Sequence, residues 1–481
     1  MMPRIPTPPS ERARVDVGRR RLLKRAAAIV AATPFAGDLS RLALAAGPFT
    51  DYRALVCVFL YGGNDAHNTV VPVDAAYANY QAQRGNLALP TASLIGVGSG
   101  GITGRSFGFN GNLPRLAALF AGGRAAVVAN VGALLRPTTK ADYQAGRMLP
   151  PQLFSHSDLQ NHWQTARPAD PVDTGWGGRL AEIVASANGA SPLSVAISVA
   201  GNNVFMRSDA MAPYFLSPDP VSATENNLLI RAYRYWDDWA AGRPFPQRVF
   251  EDQLVLPRTH LLEDEWADTM ARAQDTAGYL WEILRSAPPL ATVFPGTAAS
   301  DNPKNRLAME LKQVARVIGA FAQNVATLGV RRQVFFVSLG GFDNHGDQLA
   351  QHGPLLKSVD DALGAFYDAS VELGVAANVT TFTGSDFGRT LASNGRGSDH
   401  GWGGHHFVVG GGVAGNRIYG QFPDLVKGGP TDVGQGRLLP TLSVDEYGAT
   451  LARWFGVGAT ELPIVFPGLG NFASSNLGFL G

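Results

Sequence analysis

The chain has 481 residues, 45% of them hydrophobic and 16% charged, and its mean hydropathy is near zero; this describes a soluble globular protein with one large core or two domains. The balance of 40 basic to 39 acidic residues hides an asymmetry, because residues 1–45 hold nine Lys or Arg against three Asp or Glu, which leaves 31 against 36, a net charge of −5. A mildly acidic body gives no electrostatic reason to bind nucleic acid.

The basic excess has a pattern. Arg19-Arg20-Arg21-Leu22-Leu23-Lys24 matches R-R-x-(apolar)-L-K, an apolar stretch runs from Ala26 to Ala32, and Ala43-Leu44-Ala45 offers an A-x-A cleavage site. Residues 1–45 therefore read as a twin-arginine signal peptide, with the translocase as a partner during export and a periplasmic or secreted destination. Cys57 is the sole cysteine, so no intramolecular disulfide forms. After the signal no apolar run approaches the roughly 18 residues of a spanning helix. Residues 46–481 are expected to form one domain.

Ala54 to Leu60 is a near-continuous apolar run, as in a strand covered on both faces, and it breaks at Tyr61-Gly62-Gly63-Asn64-Asp65. Residues 80–111, rich in Gly, Ser and Asn, read as loop with at most a short hairpin. A helix is predicted over Leu113 to Phe120, a second strand over Ala125 to Val131, a helix over Ser155 to Ala166 with Ser155 as N-cap, and a third strand over Leu193 to Val199. Residues 201–304 differ in character, with few strand signals and helices predicted over 228–239 and 261–285, and read as a helical insertion. Then come a helix over 305–328, a strand over Val334 to Val337, a helix over 355–373, a strand at Val379 to Phe382, a second apolar run at Phe407 to Val409, and a helix over 444–455. Apolar strands alternating with helices predict an α/β fold with a doubly wound, mostly parallel sheet.

Polar residues recur just past these strands: Asp65 after the first, Asp343 and His345 after the fourth, Asp386 after the next. In open parallel sheets sites form at the carboxyl ends of strands, so these positions are expected to converge. Asp399-His400-Gly401 adds an imidazole between small neighbours. His405 and His406 begin a strand, and alternation sends them to opposite faces. Carboxylates with imidazoles suit Zn²⁺, or Mn²⁺ where oxygen ligands dominate, one or two ions in all. No G-x-G-x-x-G, G-x-x-x-x-G-K-[ST] or G-x-S-x-G pattern competes.

Gly62-Gly63-Asn64-Asp65-x-x-Asn68, Ser155-His156, Gly340-Gly341-Phe342-Asp343-x-His345, Ser385-Asp386-Phe387-Gly388-Arg389-Thr390 and Asp399-His400-Gly401-Trp402-Gly403-Gly404, with Gly410-Gly411-x-Val413 and Tyr419-Gly420, together resemble the bacterial family called domain of unknown function 1501. The resemblance spans nearly the whole chain after the signal. It implies an alkaline-phosphatase-like fold of the phosphatase and sulfatase superfamily, with Asp65 and Asp386 on one ion and Asp343 and His400, with a nearby His such as His345, on another. It also places Ser155 as nucleophile, at a helix N-terminus that favours an anion, with Arg389 or His405 on the equatorial oxygens. Two departures reduce the implied ligand set: Phe387 stands where the superfamily commonly has His, and Asp343 and His345 are two residues apart where about four is usual. The expected activity is metal-dependent hydrolysis of a small-molecule or glycan phosphate or sulfate ester. One alternative is a non-catalytic envelope binding or assembly protein of the same fold; another is a glycan-binding module built on Trp236, Trp239, Trp266 and Trp281.

Overall fold

The computed structural model describes residues 49–170, 172–189, 191–218, 252–298 and 300–481. The expected signal at 1–45 and the helix expected over 228–239, with Trp236 and Trp239, lie outside the described residues. All described residues belong to one unit, Pro48–Gly481.

The strands are β1 (Arg53–Leu60), β2 (Val70–Pro72), β3 (Leu94–Gly98), β4 (Phe107–Asn110), β5 (Ala125–Gly132), β6 (Ala196–Ser198) and β7 (Tyr214–Phe215) in the first half. They continue with β8 (Arg332–Leu339), β9 (Val379–Ser385), β10 (Arg389–Ser393), β11 (Ser398–His400), β12 (Gly404–Gly410), β13 (Ile418–Tyr419) and β14 (Leu442–Ser443). The principal helices are α1 (Tyr77–Arg84), α2 (Pro114–Ala121), α3 (His156–Thr165), α4 (Trp176–Ile183), α5 (Leu261–Ser286), α6 (Arg306–Ala322), α7 (Gln348–Glu372) and α8 (Val444–Phe455).

The central sheet runs β13-β5-β12-β9-β1-β8-β6-β7, with β14 also on β5. β12 is antiparallel to both its neighbours, and every other pairing in the sheet is parallel. This is a mostly parallel α/β sheet with helices on both faces. Along β1 the side chains divide by alternation, Leu55, Cys57 and Phe59 entering one core and Val56, Val58 and Leu60 the other. The first core takes Trp163 of α3, Trp176 of α4 and much of α8; the second takes α2, α6 and α7, with Leu280 and Leu284 of α5. Both faces are therefore covered, which is why the central strands are apolar throughout. Truncating a ring such as Phe59, wholly buried, to alanine costs about 3–5 kcal/mol.

The predicted helix over 444–455 is α8, started by a reciprocal capping box of Ser443 and Glu446 and ended by left-handed Gly456. Three segments differ from expectation. Residues 80–111 hold the end of α1 and most of a small antiparallel sheet, β2-β4-β3, whose strands are too short and too rich in glycine to show alternation. Tyr214–Phe215, inside the expected insertion at 201–304, pairs with β6 and extends the central sheet. The helix expected from Leu355 begins at Gln348 and carries Pro354 within it. Among the described residues no helix is long and apolar enough to cross a membrane.

What positions the site is the register of three adjacent strands. Leu60 lies opposite Leu339 on β8 and opposite Ser385 on β9, so the carboxyl ends of β1, β8 and β9 stop at one level. The loops that follow them meet there.

Candidate metal centre

Past β1 the chain turns through Gly62 and Gly63, at φ of +112° and +82°. A Cβ on Gly62 would come within 2.4 Å of the Asp343 backbone nitrogen, and one on Gly63 within 2.5 Å of the Phe387 ring. Only glycine lets this turn lie against the loops after β8 and β9. The Gly62 N–H then donates to both carboxylate oxygens of Asp386, each at 3.2 Å.

Asp386 is fully enclosed. Its Oδ2 accepts from His156 Nδ1 at 2.7 Å and from Gln160 Nε2 at 2.8 Å. His156 and Gln160 are one turn apart on α3 and so share a face. Phe387 packs against both the His156 and His400 rings, with centroids 4.8 Å apart in each case, and holds them from behind.

Asp343, after β8, is the hub. Its Oδ1 lies 3.3 Å from His156 Nε2, 2.9 Å from His345 Nε2 and 3.4 Å from His400 Nε2. Arg389, at the start of β10, donates to the same oxygen at 2.9 Å. Burial alone would raise the Asp343 carboxyl, but the Arg389 hydrogen bond and charge, with His345 and His156, hold it below its usual value.

The other ring nitrogen of each histidine meets an acceptor. His156 Nδ1 faces Asp386, His345 Nδ1 faces Asp399 Oδ1 at 3.1 Å, and His400 Nδ1 faces the carbonyl of Phe154 at 2.7 Å. A carbonyl or a carboxylate can only accept, so each Nδ1 carries a hydrogen, and a ring in its neutral form turns a bare Nε2 lone pair inward. His345 Nε2 and His400 Nε2 are 2.9 Å apart, and His156 Nε2 is buried without a hydrogen-bond partner. With the rings neutral, these Nε2 atoms and the Asp343 oxygen form a set of electron-pair donors that a cation could share.

The fit can be tested on distances. Four ligands about 2.0–2.1 Å from a tetrahedral ion stand about 3.3 Å from one another, and the Asp343 oxygen is 2.9–3.4 Å from the three nitrogens. His156, Asp343 and His400 offer ligand atoms all within 4.8 Å of one another. Histidines oriented through their second nitrogen are the usual surroundings of a bound ion. Without one, the Asp386 hydrogen bond raises the His156 pKa, whereas burial lowers that of His400. Asp343 and His345 side chains are 45% and 44% exposed, so the centre opens to solvent on their side.

Of the residues expected from sequence, Asp343, His345, Asp386, Arg389 and His400 come together here. Asp65 does not join them: it is 2% exposed, ion-paired to Arg84 on α1 and hydrogen-bonded by Gln348 on α7. His405 is also apart, buried on β12 with its Nδ1 accepting from the Asn130 N–H at 3.0 Å and its ring against Phe422. Arg389 is 1% exposed and gives its donors to Asp343, the Gly62 carbonyl and the Ser398 carbonyl, so it positions Asp343 rather than facing solvent. Ser155 sits at the N-cap of α3 without capping it, and its hydroxyl donates to Asp158 at 2.5 Å. The residue that sequence reading passed over as a ligand is His156, next to the serine; its signal was a histidine opening a helix with Gln160 four residues on.

Residues 291–458 match the family model described as "Protein of unknown function (DUF1501)". That stretch contains Asp343, His345, Asp386, Arg389, Asp399 and His400, and begins after Ser155 and His156. No curated protein matches the chain. Similar solved structures include the PsFucS1 sulfatase from Pseudoalteromonas sp., at 13% identity and a TM-score of 0.32, over 89% of this chain and 73% of that one. Another is Ps i-CgsB in complex with k-i-k-neocarrahexaose, at 11% identity and a TM-score of 0.28, over 90% of this chain and 75% of that one.

Proposed function

We propose that this chain, part of which matches that uncharacterised family, is a metal-dependent hydrolase of phosphate or sulfate esters, exported by the twin-arginine route to act on a small-molecule or glycan ester. The observation that supports it is the convergence of three inward-facing Nε2 atoms on Asp343 Oδ1, at a sheet edge and open on one side. Three nitrogens and one oxygen suit Zn²⁺ better than Mn²⁺.

A divalent ion held there by His156, Asp343 and His400, with His345 beside Asp343 and His400, would polarise a phosphoryl or sulfuryl oxygen and activate the attacking group. The chain's own residues supply the rest. Arg389 keeps Asp343 ionised and turned inward. Asp386 and Asp399 hold imidazoles in the tautomer that presents Nε2. Ser155, one residue before His156, is the candidate nucleophile, and Asp158, already accepting its hydrogen bond, is placed to take the proton.

Protein recovered from the periplasm is expected to hold stoichiometric divalent metal and to turn over aryl phosphate or aryl sulfate. Asp343→Ala loses both. Full metal content with turnover of neither ester would overturn the hydrolase in favour of a binding protein. Ser155→Ala cuts turnover and leaves metal content unchanged; undiminished turnover would remove Ser155 from the mechanism.

A further inference from the structure

We infer that the centre takes one divalent ion per chain, with Asp386 and Asp399 acting as orienting acceptors behind the histidines and not as ligands. The inference rests on the metal-centre reading above and deepens it, because it reassigns Asp386, a ligand by family resemblance, and counts the ions.

The geometry of the two carboxylates carries it. Asp386 is enclosed and its oxygens are met by donors from the protein. Its Oδ2 takes the His156 Nδ1 hydrogen and the Gln160 amide, and the Gly62 N–H reaches both oxygens. An ion on Asp386 Oδ2 would compete with the hydrogen that fixes His156. Asp399 is used in the same way, its Oδ1 accepting from His345 Nδ1 and from Asn394 Nδ2, each at 3.1 Å. The third orienting group, the Phe154 carbonyl, is held in turn: the Arg437 guanidinium lies over the Phe154 ring, 4.8 Å from its centroid, and its Nε donates to the His400 carbonyl at 2.9 Å.

A second ion would need ligands of its own at this edge. Asp65, the other carboxylate expected to hold an ion, is already neutralised by Arg84 and hydrogen-bonded by Gln348. Among the described residues no second cluster of His, Cys, Asp or Glu has ligand geometry. Phe387 fills the space behind His156 and His400 with an apolar ring, where a ligand side chain would otherwise be needed.

The test is a binding titration of the full chain, stripped with chelator and reloaded with Zn²⁺ or with Co²⁺ as a spectroscopic probe. Wild type binds one equivalent. Asp386→Asn and Asp399→Asn still bind one equivalent with an unchanged Co²⁺ visible spectrum, because the coordinating atoms are the same, but 10- to 100-fold more weakly, the usual cost of removing an orienting partner (about 10–100-fold). Asp386→Ala binds more weakly than Asp386→Asn, whose amide oxygen can still accept from Nδ1. His156→Ala changes the spectrum. Asp399, half exposed, provides a variant whose folding is not at risk should the enclosed position 386 tolerate no change. Two equivalents in wild type, or an altered Co²⁺ spectrum in Asp386→Asn, would overturn the inference. One equivalent with no ester turnover defeats the proposed activity and leaves the inference standing; two equivalents with turnover does the reverse.

Discussion

Asp65 and Asp343 follow β1 and β8, adjacent strands in register, and each has an arginine and histidines around it. At Asp65 everything that reaches the carboxylate is a donor: the Arg84 guanidinium, the Gln348 amide and, at 3.2 Å, the His67 backbone N–H. The charge is satisfied inside the protein. At Asp343 Arg389 donates, and three imidazoles turn Nε2 toward the same oxygen. Composition is nearly the same in the two clusters, but Asp65 is enclosed and met by an arginine and an amide, whereas Asp343 stands on a side open to solvent with three Nε2 atoms beside its Oδ1. Arg389 joins them, its carbonyl bonded to His67 Nε2 at 3.0 Å and its guanidinium to Asp343.

If that distinction is right, the largest effect on stability comes from the Asp65 side. Arg84→Met leaves a buried carboxylate unpaired and is expected to cost about 3–5 kcal/mol in chemical unfolding, while the folded protein keeps its metal stoichiometry. Loss of the ion at a temperature where the variant remains folded would mean that the two clusters are one site.

Acid sharpens the contrast next. His67 and His352, beside Asp65, are fully buried, and burial lowers each pKa from 6.5 to about 4. The folded state therefore binds fewer protons than the unfolded one between those values. Their contribution to stability is complete above pH 6.5 and is lost as pH falls toward 4, each adding a slope of up to about 1.4 kcal/mol per pH unit. Urea unfolding of the metal-free protein at pH 7 and pH 5 measures it; equal stabilities at the two values would show that these histidines are not held neutral.

A smaller effect is expected at the hinge between the clusters. Gly63→Ala forces a left-handed residue to carry a Cβ into the Phe387 ring, which costs on the order of 1–3 kcal/mol and shifts the ring that backs His156 and His400. Its melting temperature falls and its metal affinity weakens together. A change in melting temperature alone would leave Phe387 outside the centre.

The fold was largely legible because β1, β5, β8 and β9 are buried along most of their length and read as runs of apolar or β-branched residues. β7, two residues long, and the glycine-rich β2-β4-β3 sheet make hydrogen bonds without a hydrophobic period, so nothing in their side chains announces them. At the site, Asp343, His345, Asp386 and His400 were legible as polar residues just past strand ends or between small neighbours. Asp65 looks the same in sequence, and what removes it from the centre is Arg84 on α1, a partner that only the packed structure supplies. His156 was hidden for the opposite reason: it opens a helix instead of ending a strand, and Ser155 beside it was the more familiar chemical signal. Phe387, read as a missing ligand, is a packed ring behind two histidines.

The most direct measurement is the metal content of wild-type protein and His156→Ala, purified side by side. His156 Nε2 is buried, unpartnered and 3.3 Å from Asp343 Oδ1, where a ligand to the ion would stand. Stoichiometric divalent metal in wild type and its loss from a folded His156→Ala is the predicted result; equal metal in both would contradict the centre described above.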